Sequence, residues 1–233
     1  MDKPESKNPS PSSLAALRSE TIQAMRRGSG SRPDVLRVRY GDGQAILKDQ
    51  NGCDPAFARV IGPLLAYREA RALRRLRPLA GVPELLGRPD RRSVLMEYLP
   101  ATPIANASHS DWAAFFHALG RLLNEMHALG IAHGDLRSPN NTLVDESGNP
   151  VLVDFVASVA RGGWWNLPAF WTFTMFCRID RKAVVKLKSI MAPDLVGKDQ
   201  QHLLEHTSAL HRALRRLGMA IRDATRKVFT RSV

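Results

Sequence analysis

The segment that contains Asp135, Asn140 and Asp154 constrains the fold of this 233-residue chain more than any other part of the sequence. Asp135 precedes Asn140 by five residues, and Asp154 follows Asn140 by fourteen, directly after a short apolar run. Residues 145–150 form a cluster of turn-forming side chains with an apolar run on either side, which predicts a β-hairpin. Such a hairpin would bring Asn140 and Asp154 to the same end of two adjacent strands.

These three side chains have the chemistry that phosphoryl transfer requires. A carboxylate in the position of Asp135 can accept the proton of an attacking hydroxyl group. An amide oxygen and a second carboxylate, from Asn140 and Asp154, can hold the magnesium that bridges the phosphates. The alternative is a surface turn that carries Asp and Asn by chance. Agreement among several independent positions favours the catalytic interpretation.

The order His-x-Asp, then Asn, then an apolar strand and Asp-Phe, across residues 133–155, resembles the protein-kinase-like superfamily. The segment is most similar to the small bacterial branches of that superfamily, the RIO-type kinases and the lipopolysaccharide (Kdo/heptose) kinases. The resemblance implies ATP and Mg²⁺ as cofactors. It also implies that Asp135 is the catalytic aspartate and that Asn140 and Asp154 are the metal ligands.

The same resemblance implies an α+β, two-lobed protein-kinase-like fold. A disordered tail over residues 1–13 would precede a small β-rich N-lobe over residues 14–100, with the hinge at its end. A short, mainly helical C-lobe over residues 101–233 would carry the catalytic loop, an aromatic-basic segment and the C-terminal helices.

Two departures from the protein-kinase pattern favour an acceptor other than a peptide. Protein kinases usually carry Arg after the loop histidine, whereas this chain carries Gly134, as do small-molecule kinases of the aminoglycoside phosphotransferase type. Val156 replaces the glycine that usually follows Asp-Phe, and no Ala-Pro-Glu motif comes after it. We therefore expect a hydroxyl-bearing acceptor such as a saccharide or a lipid-linked glycan.

The N-lobe supplies a candidate lysine and glutamate. Alternating polarity over residues 35–40 and 44–48 predicts a second hairpin, which ends at Lys48. Apolar side chains at three- and four-residue steps predict a helix over residues 57–76, where Glu69 is one acid among several arginines. The resemblance implies that Lys48 contacts the phosphates and that Glu69 orients it. The alternative is a strand-end lysine and a solvated glutamate paired on its own helix.

Four further residues are candidates for nucleotide binding. Gly28 and Gly30 precede the N-lobe hairpin and could hold phosphates through backbone N–H groups. Residues 94–100 form an apolar strand that resembles the kinase hinge. There the backbones of Glu97 and Leu99 would meet the adenine edge.

The net charge of +12 suits an anionic partner, either a nucleotide, a nucleic acid or an acidic membrane. The arginines are spread along the chain and no RNA-binding motif is visible, so we expect nucleic acid not to be a partner. Residues 162–177 carry six aromatic side chains and no charge, and basic residues follow at once. This segment is either an interfacial segment on an anionic membrane or a buried helix of the C-lobe.

Together these features predict an ATP- and magnesium-dependent phosphotransferase. The alternatives are a RIO-type serine/threonine protein kinase, a pseudokinase that binds nucleotide without turnover, and a membrane-surface adaptor. The N-terminus lacks the apolar core of a signal peptide, and Cys53 and Cys177 have no metal-ligand spacing. We therefore expect a cytoplasmic protein, attached peripherally to the inner membrane if the aromatic-basic segment meets lipid.

Overall fold

The computed structural model describes residues 13–108, 111–163 and 166–205. Its first part is an antiparallel sheet of five strands: β1 (Thr21–Arg26), β2 (Asp34–Tyr40), β3 (Gly43–Asp49), β4 (Leu85–Gly87) and β5 (Ser93–Glu97). Their spatial order is β1-β2-β3-β5-β4. The predicted N-lobe hairpin corresponds to β2 and β3, which pair without interruption and turn at Gly41, whose φ is +57°.

One face of this sheet is buried because β2 alternates in polarity. Leu36, Val38 and Tyr40 point into a small core, which also contains Leu17 of the short helix α1 (Leu14–Ser19). Lys48 is at the end of β3, the central strand of the sheet, where it is buried.

The helix predicted over residues 57–76 is two helices, α2 (Pro55–Val60) and α3 (Gly62–Leu76). Pro63 lies in the first turn of α3. A proline has no N–H to donate, and its ring clashes with the carbonyl group four residues earlier, so it begins a helix readily but cannot continue one. Glu69 lies on the buried face of α3, because Ala66 and Leu73 precede and follow it by three and four residues.

The second part of the molecule begins after β5 and is mainly helical. Its elements are β6 (Ala101–Pro103), α4 (Trp112–Ala128), β7 (Ile131–Ala132), β8 (Thr142–Asp145), β9 (Pro150–Leu152), β10 (Val159–Ala160), α5 (Leu167–Met191) and α6 (Lys198–Glu205). Strands β6, β8 and β9 form one small sheet, and β7 pairs with β10. The predicted hairpin before Asp154 is therefore present as β8 and β9. The α+β organisation predicted from the sequence is confirmed.

Helix α4 leads into the segment that contains Asp135. Its N-cap is Asp111, whose carboxylate accepts a hydrogen bond from the backbone N–H of Ala114. Phe115, Leu119 and Met126 repeat on its inner face and pack in a core that α3, β5, β9 and α5 share. One apolar cluster thus joins both parts of the molecule.

The aromatic segment over residues 162–177 was interpreted either as a membrane-surface segment or as a buried helix, and it has features of both. Helix α5 begins within it, and Phe173 and Cys177 are buried. Phe170 and Trp171 are exposed. Among the residues that the structure describes, no helix is both long and apolar enough to cross a membrane.

Several predictions fall on residues outside the described ranges. They are the disordered tail, except Ser13, the pair Trp164 and Trp165, and the C-terminal helices beyond residue 205. The position of the lobe boundary between residues 100 and 101 stays a prediction.

Candidate active site

A buried ion cluster joins the two parts of the molecule. The Lys48 Nζ atom lies 2.9 Å from Glu69 Oε1 and 2.6 Å from Asp154 Oδ1. The three side chains come from β3, α3 and the segment after β9, so the sheet and the hairpin must pack together to form the cluster. The predicted pairing of Lys48 with Glu69 is present in the structure, and Asp154 adds a second carboxylate.

The charges in this cluster stabilise one another. Burial alone would lower the pKa of Lys48, but the carboxylates of Glu69 and Asp154 outweigh it and raise that pKa above its ordinary value. Burial would raise the pKa of Asp154, but the Lys48 ammonium lowers it. For Glu69 burial dominates and raises the pKa of its carboxyl. Lys48 is therefore firmly protonated and Asp154 firmly ionised near neutral pH.

Asp154 reaches this cluster through an unusual backbone conformation. Its φ of 67° is the only positive φ of a non-glycine residue in the described part of the chain. Aspartate tolerates the left-handed region better than most residues, but the conformation still costs about 1 kcal/mol or more. The turn aims the carboxylate at Lys48, and such local strain is typical of functional sites.

Asn141, the neighbour of the predicted magnesium ligand Asn140, holds Asp135. The Asn141 side-chain amide donates to the backbone carbonyl of Asp135 at 2.9 Å and to its carboxylate at 3.1 Å. Asn141 is buried, whereas Asn140 is exposed. Both lie in a short 3₁₀ turn over Pro139–Asn141, where successive side chains are about 120° apart, so only one of them can face Asp135.

Asp180 of α5 anchors the loop around Asp135. This aspartate was not predicted as a site residue from the sequence. The Asp180 carboxylate is fully buried. It accepts hydrogen bonds from the backbone N–H groups of His133 and Gly134, at 2.7 and 2.9 Å. His127 Nε2 lies 3.1 Å from it. The spacing of the sequence could have indicated that Asp180 is buried, because it follows Cys177 by three residues and so lies on the buried face of α5.

His133 connects the loop that carries Asp135 to the strand before Asp154. Its Nε2 lies 3.0 Å from the backbone carbonyl of Val153, and its Nδ1 accepts from the backbone N–H of Asp135 at 3.3 Å. A carbonyl can only accept, so Nε2 carries the proton of a neutral ring. Burial lowers the pKa of His133, in agreement with a neutral imidazole. The ring thus ties the strand before Asp154 to the loop that carries Asp135.

Gly134 is required by close packing. Its φ is +82°, and a Cβ atom there would lie 2.7 Å from the carbonyl oxygen of Ala157 and 3.1 Å from the ring of Phe176. No larger residue fits between these neighbours without moving backbone. An arginine at this position would be incompatible with the observed arrangement.

The Asp135 carboxyl is partly covered although the residue as a whole is exposed. Its partial burial, reinforced by the nearby charge of Asp154, raises the pKa of Asp135 above its ordinary value. A more basic carboxylate that can still reach solvent suits a group that accepts a proton from a bound hydroxyl.

A cleft of about 290 Å³ lies beside the ion cluster. Its polar wall contains Lys48, Glu69, Asp154 and both asparagines. Its apolar wall is formed by Met25, Val35, Ile46, Met96, Leu99 and Leu143. An apolar wall opposite a wall that carries a lysine and carboxylates suits a nucleotide, whose base is apolar on both faces and whose phosphates are anionic.

The predicted hinge residues Glu97 and Leu99 both line this cleft. Glu97 is held by Glu84, the residue before β4, because the backbone N–H of Glu97 donates to the Glu84 carbonyl at 2.9 Å. Its side chain in turn accepts from the Glu84 N–H at 3.1 Å. The Glu97 N–H is therefore occupied, and adenine would have to meet the Glu97 carbonyl and the Leu99 backbone.

Comparison with solved structures identifies the architecture. A crystal structure of the Rio2 kinase-ADP/Mg²⁺-phosphoaspartate complex from Chaetomium thermophilum is similar, with a TM-score of 0.60 and 19% identity over 94% of this chain and 74% of that chain. A second Rio2 kinase structure from the same organism gives a TM-score of 0.57 and 21% identity, over 90% and 75% of the two chains. The chain has a protein-kinase-like fold. No protein-family model matches the sequence, and no match is found among curated proteins.

At the level of the fold, the kinase resemblance is thus confirmed. The matched structures are Rio2 kinases, and nothing in these comparisons supports the lipopolysaccharide-kinase branch.

The two glycines predicted to hold phosphates lie in the connection between β1 and β2, away from the cleft. Gly28 and Gly30 lie between β1 and β2, and neither lines the cleft. The Gly28 N–H donates to the Asp34 carboxylate at 2.7 Å, and the backbone of Gly52 packs against Gly28. The structure therefore does not bring these glycines to the cleft.

Arg26, at the end of β1, lines the cleft in their place. Its Nε donates to the backbone carbonyl of Pro33 at 3.3 Å, which leaves the terminal nitrogens of the guanidinium for other partners. Burial would raise the pKa of Asp154, the Lys48 ammonium lowers it, and the charge of Arg26 adds a smaller effect in the same direction as Lys48. Arg26 belongs to no glycine-rich motif, so no local pattern in the sequence marks it as a cleft residue.

Proposed function

We propose that the protein is an ATP- and magnesium-dependent phosphotransferase that moves the γ-phosphate to a hydroxyl group. The observation that carries the proposal is the cluster of Lys48, Glu69 and Asp154 at the polar end of an apolar cleft. A lysine ammonium has three donor hydrogens, and two of them are used within this cluster. The third has no protein partner within the described residues and can bind a phosphate oxygen.

The residues present fit a magnesium ion held together with nucleotide phosphates. Magnesium prefers oxygen ligands, and in nucleotide sites it takes one or two from the protein and the rest from phosphate and water. Asp154 would supply a carboxylate oxygen, and Asn141 or Asn140 an amide oxygen, since all three line the cleft. When bound, the ion would neutralise the charge that develops on the phosphates. The Rio2 kinase complex with ADP and Mg²⁺ supports this assignment.

The protein residues would then act mainly by positioning. Asp135 accepts the proton of the acceptor hydroxyl, and Asn141 holds this residue in place through one hydrogen bond to its backbone carbonyl and one to its carboxylate. Asp180 fixes the backbone of the loop, so that Asp135 cannot drift from the phosphate. Lys48 binds phosphate oxygens, and Glu69 keeps Lys48 aimed at the cleft.

We further propose that the acceptor is a saccharide or a lipid-linked glycan, and that the protein works in the cytoplasm at the inner face of the membrane. Gly134, the missing Ala-Pro-Glu motif and the exposed Phe170 and Trp171 support this choice. A RIO-type serine/threonine protein kinase is the second candidate, which the similarity to Rio2 kinase favours. A pseudokinase that binds nucleotide without turnover is the third.

Transfer of labelled γ-phosphate from ATP separates these candidates. Wild type and Asp135→Asn would be compared, with a bacterial membrane-lipid extract and a soluble protein extract as acceptors. The Asn variant keeps the size of the side chain, and Glu146→Gln in the exposed turn between β8 and β9 is the matched control. General-base loss lowers such rates by about 10²- to 10⁴-fold.

Label in the lipid or saccharide fraction that depends on Asp135 would support the glycan acceptor. Label on protein alone would favour the RIO-type protein kinase. ATP binding without transfer to either extract would favour the pseudokinase. Transfer that is equal in wild type and Asp135→Asn would refute the proposed role of Asp135.

A further inference from the structure

A second cavity, of about 380 Å³, lies outside the proposed catalytic cleft. Its walls come from α3, the segment around β10 and the first turn of α5. Arg68, Arg71 and Arg161 are among its lining residues, and no acidic residue is among those described. The cavity is therefore positively charged and has no compensating carboxylate in its described wall.

The arginines are held close together by the backbone. Arg68 donates from Nη2 to the carbonyl of Ser158 at 2.9 Å, which fixes its guanidinium at the cavity. A Cβ atom on Gly130 would lie 2.9 Å from Arg75 Nη2 and 3.3 Å from the Cβ of Arg161, so a fourth arginine borders the same region. Within the described residues, Arg71 and Arg161 make no ion pair. An anion would relieve the repulsion among these charges.

Helix α5 begins at this cavity. Its N-cap Asn166 lines the wall and accepts from the backbone N–H of Ala169, which also lines it. The first N–H groups of a long helix carry a partial positive charge, and this one has 25 residues. Together with the arginines, the helix end favours an anion in the cavity.

An exposed apolar face adjoins the same end of α5. Leu167, Phe170 and Trp171 are 60%, 46% and 72% exposed. Their spacing of three and four residues places them on one face of the helix, and Phe170 follows Asn166 by one helical turn. Exposed aromatic and aliphatic side chains beside a basic cluster are the composition of a membrane-surface segment.

We propose that this surface docks the protein on a bilayer that contains anionic phospholipid. The phosphate of a lipid headgroup would occupy the cavity of Arg68, Arg71 and Arg161, and the apolar face of α5 would lie at the level of the headgroups. A free phosphate or a phosphorylated peptide would satisfy the arginines but would leave the adjoining apolar face unused. The proposal does not depend on phosphoryl transfer, because it concerns only binding to vesicles.

Co-sedimentation of the full chain with vesicles tests the proposal. The vesicles would contain phosphatidylcholine alone or phosphatidylcholine with phosphatidylglycerol. The two test variants are the double replacements Arg71→Ala/Arg161→Ala and Phe170→Ala/Trp171→Ala. Thermal unfolding midpoints would confirm that both still fold, as expected for replacements of exposed side chains.

Matched controls separate the site from general charge and apolarity. Arg39→Ala/Arg59→Ala removes the same charge from exposed positions that do not line the cavity. Ile190→Ala removes an apolar side chain that is 65% exposed on the same helix, about 28 Å along its axis from Trp171. Both controls should bind vesicles as the wild type does.

We expect binding only to the vesicles with phosphatidylglycerol, and a loss of about tenfold or more in the arginine variant. A comparable loss is expected in the aromatic variant, since each buried apolar group contributes. Equal binding by wild type and both variants would overturn the proposal. A second result would also overturn it: no binding to vesicles, together with binding of inorganic phosphate that the arginine variant loses and the aromatic variant keeps. The cavity would then serve a soluble phosphate or a phosphopeptide.

Discussion

Asn141 and Asn140 show how much depends on a single position. Asn141 holds both the backbone and the carboxylate of Asp135, and its exposed neighbour faces away from that carboxylate. If Asn141 also helps to hold magnesium, its loss affects the metal and the base together. Asn140 does not contact Asp135 and could affect only the magnesium.

We expect Asn141→Ala to weaken the apparent magnesium affinity by about a hundredfold, because it removes a proposed ligand and frees Asp135. Initial transfer rates measured against magnesium concentration give this affinity. Asn140→Ala is the control, and its magnesium dependence should stay near that of wild type. The reverse ranking of the two variants would identify Asn140 as the ligand.

Arg26 is the residue that we expect to contact the outermost phosphate, since the glycine turn does not line the cleft. Arg26→Ala should weaken ATP binding about tenfold, or about 1.4 kcal/mol, and ADP binding less. Equilibrium binding of the two nucleotides, measured by calorimetry, checks this. Arg27→Ala is the matched control, because Arg27 is also exposed but does not line the cleft. Equal losses for both nucleotides would place Arg26 away from the γ-phosphate.

His133 makes stability depend on pH. Its pKa in the folded protein lies below the ordinary value of 6.5, because burial favours the neutral ring. The unfolded chain therefore binds this proton more readily. The stabilising contribution is complete above pH 6.5 and is lost as the pH falls through the folded pKa.

We therefore expect the free energy of unfolding in urea to decrease as the pH is lowered from about 7.5 to about 5. In His133→Asn this decrease should be smaller, although the variant is less stable at the starting pH. His117→Asn replaces an exposed histidine and should keep the wild-type slope. Parallel slopes for all three proteins would exclude His133 as the source.

At the scale of secondary structure, α5 supports the loop that carries Asp135 through Asp180. One buried carboxylate accepts from two successive backbone N–H groups of the loop. The loop has no regular structure of its own at this point, so its conformation depends on a side chain that lies more than forty residues later in the chain. The hairpin of β8 and β9 supports the other side of the site through Asp154.

Asp180→Asn should destabilise the protein by about 3–5 kcal/mol, because an amide nitrogen would then face at least one N–H donor in a buried site. Urea unfolding measures this loss. Asp194→Asn, in the exposed turn after α5, should change stability little. If Asp180→Asn retains wild-type stability, the loop is held by other contacts.

At the scale of the whole molecule, the ion cluster connects the sheet to the helical part across 106 residues of sequence. The apolar core also joins the two parts, so the cleft is not formed by either part alone. A nucleotide bound between them would stabilise both at once. Binding should therefore raise the temperature of unfolding of the entire chain.

We expect ATP with magnesium to raise the unfolding midpoint of wild type, by an amount equivalent to about 2.7 kcal/mol at a ligand concentration of about a hundred times Kd. Lys48→Met should abolish this shift, because it removes the phosphate contact and the link between the parts. Lys186→Met, at an exposed position on α5, is the control and should keep the shift. A shift in Lys48→Met as large as that of wild type would contradict the proposed binding mode.

Local patterns in the sequence predicted the features that depend on neighbouring residues. Alternating polarity predicted the hairpin of β2 and β3, a turn cluster between two apolar runs predicted the hairpin of β8 and β9, and apolar spacing predicted α3. Pairing and burial at short range follow from these local patterns. The motif around Asp135 predicted the kinase-like fold and the pairing of Lys48 with Glu69. The break before α3 could have been read from Pro63.

Only the tertiary structure decided which side chains meet. Asn141 rather than Asn140 contacts Asp135 because a turn of three residues sets the direction of each side chain. Asp180, Arg26 and the cavity of Arg68, Arg71 and Arg161 come from elements far apart in the chain. No local pattern of the sequence encodes such contacts, because they depend on how helices and strands pack. That packing minimises the free energy of the whole molecule rather than of any one segment.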